Sequence, residues 1–245
     1  MLTNDNYYSP ESNKQYFSVS QYKDFLKCEA MAMAKINGEY EEPMTTALLV
    51  GSYIDVYFEG TLDEFKEKYK SEIFTKQKTL RADFQKAEEV IKRIERDPLF
   101  MKFMSGEKQK IFTAEMFGVP WKIKIDSYFG GLCIVDLKIV RNMKSLSNWR
   151  YDIQGAVYQE VEHLNSGNRL PFYLAVATKE DVPDLDIFQI TQDTLDFALA
   201  EIEGNMPRFI AVKNGEEEPI RCGECDFCKS TKSARVRNYN ELGEG

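Results

Sequence analysis

Residues 123–140 read IKIDSYFGGLCIVDLKIV, and the period of this stretch decides the fold. Apolar residues alternate from Val119 through Trp121, Ile123 and Ile125, with Lys122, Lys124 and Asp126 on the opposite face. Strict alternation predicts a strand with one buried side. Gly130-Gly131 marks a turn. The run after it, rich in β-branched residues, predicts a second strand with Leu132, Ile134, Asp136 and Lys138 on one face. Cys133, Val135, Leu137 and Ile139 fall on the other. A two-residue turn at Gly130-Gly131 would pair Asp126 with Val135 and set the two aspartates on opposite faces. For Asp126 and Asp136 to share a metal, the hairpin needs a three-residue loop or a bulge.

Outward from the hairpin the period changes to that of helices. Leu146, Trp149, Ile153, Val157, Val161 and Leu164 form a 3.6-residue stripe that predicts a helix over 145–164. Gln154 and Tyr158 lie i, i+4 beside this stripe and can face one pocket or serve as flank packing. FYLAVAT (172–178) reads as a central strand and DIFQIT (186–191) as another. A closing helix is expected over 193–212, with Gly204 and Pro207 disturbing its middle. On the N-terminal side, residues 1–16 read as an irregular lead-in. Ser18 with Gln21 has the form of a capping box opening a helix towards Ile36. Further helices are expected over 47–59, with Asp55 on or beside the apolar face, and over 86–104, broken near Pro98. The organisation expected is one domain, 1–245: a helical front section (18–104), a core (110–212) and a cysteine-bearing basic tail (213–245).

Composition limits the function. A chain of 245 residues with 43% apolar content can bury one sizeable core. The opening MLTNDNYYSP is polar and no apolar run approaches bilayer length, so no signal peptide and no membrane association are expected, and a cytoplasmic location is. A net charge of −8 argues against a non-specific nucleic-acid coat but leaves room for an enzyme with a narrow basic channel. A single histidine, His163, makes His-pair catalysis and His-rich zinc sites poor candidates.

Two carboxylates and an ammonium on one hairpin face suit a hard divalent cation, which takes a few protein oxygens and keeps several waters. Such an ion polarises a phosphodiester and activates water, and an adjacent lysine can orient that water or stabilise transition-state charge. Read alone, Asp126, Asp136 and Lys138 equally describe a charged pair on an exposed hairpin.

In combination these segments resemble the PD-(D/E)xK nuclease superfamily, and more closely its phage-type exodeoxyribonuclease VIII (RecE-like) group. The segment 123–140 is similar to the family's core hairpin, with Asp126 and Asp136 at the acidic positions and Lys138 at the lysine. YDIQGAVYQE (151–160) matches the following helix, placing Gln154 and Tyr158 at its Gln and Tyr. GSYIDVYFEG (51–60) resembles an earlier helix whose usual His is here Asp55, and TAEMFGVPW (113–121) resembles the preceding strand, with Glu115 at an acidic position. Ile125 stands where the family usually has proline. The resemblance spans roughly residues 18 to 232. It implies a restriction-endonuclease-like α/β fold with a mixed central sheet flanked by helices. It also implies Mg²⁺- (or Mn²⁺-) dependent hydrolysis of DNA, with Asp126, Asp136, Asp55 and Glu115 as metal candidates. Relatives resect duplex ends for recombination. Some form homo-oligomeric rings threaded by DNA, and a single-strand annealing protein is the expected partner. Lys76, Lys78, Arg81 and the basic tail can line such a channel or be ordinary solvated faces. With Asp55 in place of His, metal number and affinity are open.

RCGECDFCKSTK (221–232) holds Cys222, Cys225 and Cys228 at C-x2-C-x2-C spacing, and Cys28 is the candidate fourth ligand. Tight runs of this kind suit iron–sulfur ligation more than separated-pair zinc fingers. Superfamily nucleases of the AddB type and a CRISPR-associated group hold a [4Fe–4S] cluster with one cysteine before the core and three after it. The resemblance therefore implies [4Fe–4S] or Zn at these four residues, although the spacing differs. Free thiols and a disulfide stay open. Cys133 is expected in the core. Two alternatives to an exonuclease stand: a non-catalytic metal- or cluster-bearing nucleic-acid binding module, and an endonuclease of the same fold.

Overall fold

A computed structural model describes residues 2–236 and 238 of the chain. Met1, residues 239–245 and Arg237, the last cation of the basic tail, lie outside the described residues. The elements in order are α1 (Pro10–Gln15), α2 (Val19–Lys27), α3 (Glu29–Asn37), α4 (Thr46–Glu59), α5 (Leu62–Lys68), α6 (Lys70–Ile73), α7 (Ala82–Glu95) and α8 (Pro98–Phe103). They are followed by β1 (Lys110–Met116), β2 (Val119–Ile125), β3 (Ser127–Phe129), β4 (Cys133–Val140), α9 (Tyr151–Ser166), β5 (Phe172–Thr178), β6 (Leu185–Gln189), α10 (Gln192–Lys213) and α11 (Asp226–Ser230).

The sheet is mixed, in the order β3-β4-β5-β6. β4 and β5 are parallel and joined through α9; the other two pairs are antiparallel. The two faces of β4 separate two cores as the alternation predicts. Ile134 packs with Leu174 and Val176 against Ile153, Val157 and Ile202 of α9 and α10. Val135 and Leu137 pack with Ala175 and Ala177 against Tyr53, Ile54, Phe84 and Val90 of α4 and α7. Cys133 is partly buried against this second cluster. Helices on both faces of a mixed sheet are the expected architecture. Among the described residues no helix is long and apolar enough to cross a membrane.

Four expectations are corrected. The helix from Ser18 does not run unbroken to Ile36. Ser18 caps it at the Gln21 amide, but Cys28 is extended (φ −169°, ψ 110°) and divides α2 from α3, turning its thiol towards the C-terminal tail. The stripe from Leu146 does not begin a helix at 145. Met143–Asn148 is a 3-10 turn, Arg150 adopts a left-handed conformation (φ 49°), and α9 starts at Tyr151, so Trp149 is exposed. α10 is continuous through Pro207, because Leu195, Ala198, Ile202, Met206 and Phe209 bury one face and outweigh the roughly 3 kcal/mol a helical proline costs. The polar face of β2 is not simply solvated. α1, which the lead-in contains, covers it, and Lys122 is buried with its ammonium donating to Tyr7 O, Ser12 Oγ (2.8 Å) and Asn13 Oδ1 (2.8 Å). Burial without a carboxylate lowers the Lys122 pKa to about 8.

Candidate active site

The hairpin register answers the phase problem posed by Gly130-Gly131. Ser127 pairs with Val135, Tyr128 with Ile134 and Phe129 with Cys133, leaving the three-residue loop Gly130-Gly131-Leu132. Gly131 takes φ +74°, a conformation glycine adopts without strain. Continued by one residue, this register sets Asp126 opposite Asp136. At Asp126 the chain leaves the four-stranded sheet: β2 pairs with β1 instead, and the edge of β4 is uncovered beyond Val135. The backbone N–H of Leu137 is taken up by Asp126 Oδ2 (2.9 Å). The carboxylate thus replaces a ladder bond at the point where the strands diverge, and the divergence opens a cleft.

That cleft, of about 340 Å³, is lined by Asp55, Asp126, Asp136, Lys138, Gln154 and Tyr158 together. Asp136 is 2% exposed, ion-paired with Lys138, and accepts a bond from Gln154 Nε2 (2.7 Å). Tyr158 donates to the Lys124 carbonyl (3.0 Å) and ties α9 to the strand that carries Asp126. Burial pushes the Asp136 carboxyl above the usual carboxylate range, opposed by the Lys138 ammonium. Burial alone would lower Lys138, but Asp136 and Asp126 overcome it and hold the ammonium firmly charged. Asp55 reaches the cleft from α4. Burial pushes its carboxyl well up, the Asp126 charge adds to this, and its Oδ1 has no hydrogen-bond partner.

Glu115 is not brought to the cleft. It is exposed and pairs with Pro120, five residues up β2 from Ile125. Lys23 of α2 does line the cleft although no local pattern singled it out. Its ammonium donates to the Trp149 carbonyl (2.7 Å), and burial together with the Lys138 charge lowers its pKa to about 8. Tyr8, Lys124, Glu59 and Gln109 also line it, Gln109 Nε2 donating to Asp126 Oδ1 (3.3 Å). Only Lys124 shared a predicted face with Asp126; the others arrive through long-range packing.

The donor set fits a divalent cation. Asp55, Asp126 and Asp136 face one cleft, with Glu59 at its lining and Lys138 ion-paired to Asp136, and the orphaned, buried Asp55 Oδ1 lacks the compensation that a desolvated carboxylate requires.

Where α2 meets α3 and the C-terminal segment, the sulfurs of Cys28, Cys222, Cys225 and Cys228 lie within 4.8 Å of one another. Cys28 and Cys228 are buried, with sulfurs 3.5 Å apart, and Cys222 is 3.9 Å from Cys228. The Cys225 N–H donates to Cys222 Sγ (3.3 Å) and the Cys228 N–H to Cys225 Sγ (3.4 Å). A tetrahedral zinc with Zn–S near 2.3 Å sets its sulfurs about 3.8 Å apart. The closer pairs, at 3.5 and 3.9 Å, are near that value, and the four thiols are placed to ligate one metal centre.

The mixed sheet flanked by helices is the architecture of the PD-(D/E)xK nuclease superfamily. The chain belongs to the family described as PDDEXK-like domain of unknown function (DUF3799), whose model matches residues 18–231. It is similar to a "Putative exonuclease" from Eubacterium rectale of known crystal structure, with 49% identity and a TM-score of 0.95 over 98% of this chain and 97% of that one. The solved structure of SSO0001 matches at 15% identity and a TM-score of 0.33, over 89% of this chain and 96% of that one, a likeness too slight to carry an argument. No curated protein matches.

Proposed function

We propose that the protein is a Mg²⁺- or Mn²⁺-dependent deoxyribonuclease that hydrolyses phosphodiesters from the ends of linear duplex DNA, in resection for recombination. The carrying observation is the three-residue loop that sets Asp126 opposite Asp136 with Lys138 on the same face. Asp126 and Asp136, with Asp55, would hold the metal, which when bound supplies Lewis-acid polarisation of the phosphodiester and an activated water. Lys138, kept charged by Asp136, orients that water or stabilises charge on the phosphate. Gln154 fixes the Asp136 carboxylate, and Tyr158 fixes the strand behind Asp126.

Family membership and the likeness to the Eubacterium rectale protein support the nuclease reading, and that protein's name favours an exonuclease over an endonuclease. The intact Asp126, Asp136 and Lys138 favour an enzyme over a binding module. Lys76, Lys78 and Arg81 border an open hollow of about 840 Å³ with Lys66, Lys68 and Lys70, where six cations outnumber the two carboxylates Asp63 and Glu67. This concentration of cations in a chain of net charge −8 suits a DNA backbone and would face the duplex in a ring-shaped homo-oligomer. The same reading places the protein in the cytoplasm beside a single-strand annealing partner. It assigns Cys28, Cys222, Cys225 and Cys228 to one structural metal, zinc by the spacing of the closer sulfur pairs.

The test is end-labelled linear duplex incubated with Mg²⁺, with Mn²⁺ and with chelator, beside a covalently closed circle. Loss of the linear DNA in metal alone, with the circle spared, is expected. Cutting of the circle would select the endonuclease reading, and no cleavage under any divalent metal would select the binding module.

A further inference from the structure

We infer that the groove on the far side of Lys138 is a subsite for an unpaired nucleotide, with Trp149 stacked on its base; this rests on the nuclease reading. The groove encloses about 670 Å³ between α4, the end of β4 and the turn that carries Trp149. It shares Asp55, Leu137 and Lys138 with the catalytic cleft, so a phosphate at Lys138 has room for a neighbouring nucleotide here.

Its lining has the chemistry of a nucleotide. Trp149 (57% exposed) and Leu48 (55% exposed) offer an aromatic face and an aliphatic wall. Arg141 and Lys179 supply two cations, and neither forms a salt bridge among the described residues. Lys179 is held by the Ala47 carbonyl (3.1 Å). Flat rings stack on bases irrespective of sequence, while cations take the phosphates. A paired base inside a duplex has both faces covered by its neighbours, whereas an unpaired base has a face free for the indole.

The exposure of Trp149 is imposed by its surroundings. Its N–H reaches Leu146 O (3.3 Å), and its carbonyl accepts from Lys23 (2.7 Å). Arg150 beside it is held left-handed (φ 49°, ψ 53°) by ion pairs to Asp152 (3.0 Å) and Glu201 (2.7 Å). A non-glycine residue in this region persists where the surroundings enforce it, and such residues cluster at ligand sites. Lys23 also lines the catalytic cleft, so one side chain joins the indole's backbone to the reacting centre.

The chain has two tryptophans, and the other, Trp121, is fully buried, so Trp149 can be observed by fluorescence. The probe is a short oligothymidylate added to the whole protein in chelator, where metal-dependent cleavage cannot consume it. The oligothymidylate should quench the exposed emission and shield it from acrylamide, and Trp149→Phe should abolish that signal. In Mg²⁺, Trp149→Ala should raise KM for DNA about tenfold with a smaller effect on kcat, and Trp149→Phe should restore most of the loss. Arg141→Ala should weaken oligothymidylate binding severalfold. Oligothymidylate that binds by anisotropy yet leaves Trp149 open to acrylamide would overturn the subsite, as would failure to bind at all. An unchanged KM for Trp149→Ala would remove the subsite and leave the nuclease standing. Shielding of Trp149 by a protein that cleaves nothing would remove the nuclease reading and leave the subsite.

Discussion

Asp55 stands where the resemblance to the superfamily implies a histidine, and its surroundings give that difference a consequence. Asp55 is half-buried, but its Oδ1 is shut from solvent without a hydrogen-bond partner beside the Asp126 charge, which is costly until a cation arrives. Asp55→Asn should therefore lower Mg²⁺ affinity several-fold in a titration while leaving the metal-free melting temperature equal or higher; an unaltered titration would exclude it as a ligand. The other site residues were legible from their spacing. Asp136 and Lys138 share a face by strand alternation, and Gln154 and Tyr158 share one by helical i, i+4 placement. Asp126 depended on the loop length, which Gly130-Gly131 left open between two and three residues. Glu115 does not reach the cleft because strand phase says nothing of height along a hairpin: it lies on β1 opposite Pro120, five residues along β2 from Ile125. Lys23 and Tyr8 were illegible because their contact with the cleft is made by packing of the N-terminal segment, far away in sequence.

At the scale of elements, α9 links sheet and site: it bridges β4 to β5 and carries Gln154 and Tyr158 on the turns facing the hairpin. Gly155 lies between those two residues, where the helix presses on β5 and α10. A Cβ there would stand 2.8 Å from the Phe172 ring and 2.7 Å from Leu195. Gly155→Ala should cost about 1–3 kcal/mol by overpacking, despite the better helix propensity of alanine. Denaturant unfolding measures this, and a stabilised variant would contradict the close packing. The strands and α4 were legible because their apolar periods are clean. The start of α9 was not, because Leu146 and Trp149 continue its period by chance while Arg150 breaks the backbone. Nor was the break at Cys28, where the helical period continues but tertiary contacts with the tail win.

Across the whole molecule, the start of α3 is fastened to α10 and to the segment that follows it. Arg208 of α10 pairs with Glu29 (2.7 Å), whose carboxylate also accepts the Ile220 N–H (2.7 Å), and the four cysteines close the same junction. Purified protein should contain one zinc per chain and be colourless, and Cys28→Ser should lower both metal content and melting temperature, since metal binding at such sites is coupled to folding. Brown protein containing iron would replace zinc by an iron–sulfur centre, and metal-free protein with unchanged stability on Cys28→Ser would remove the centre. The C-x2-C-x2-C run announced this junction in the sequence. Cys28 was the candidate to join it because few other cysteines were available, and its approach to the three others exists only in three dimensions.

If one hairpin face, set by a three-residue loop, is the reacting centre, Lys138→Ala and Asp136→Asn must each slow the single-turnover cleavage of linear duplex DNA in Mg²⁺, the variants first shown to be folded by circular dichroism. Both should lose roughly a hundredfold or more in rate while still binding DNA. Wild-type rates from either folded variant would contradict the claim.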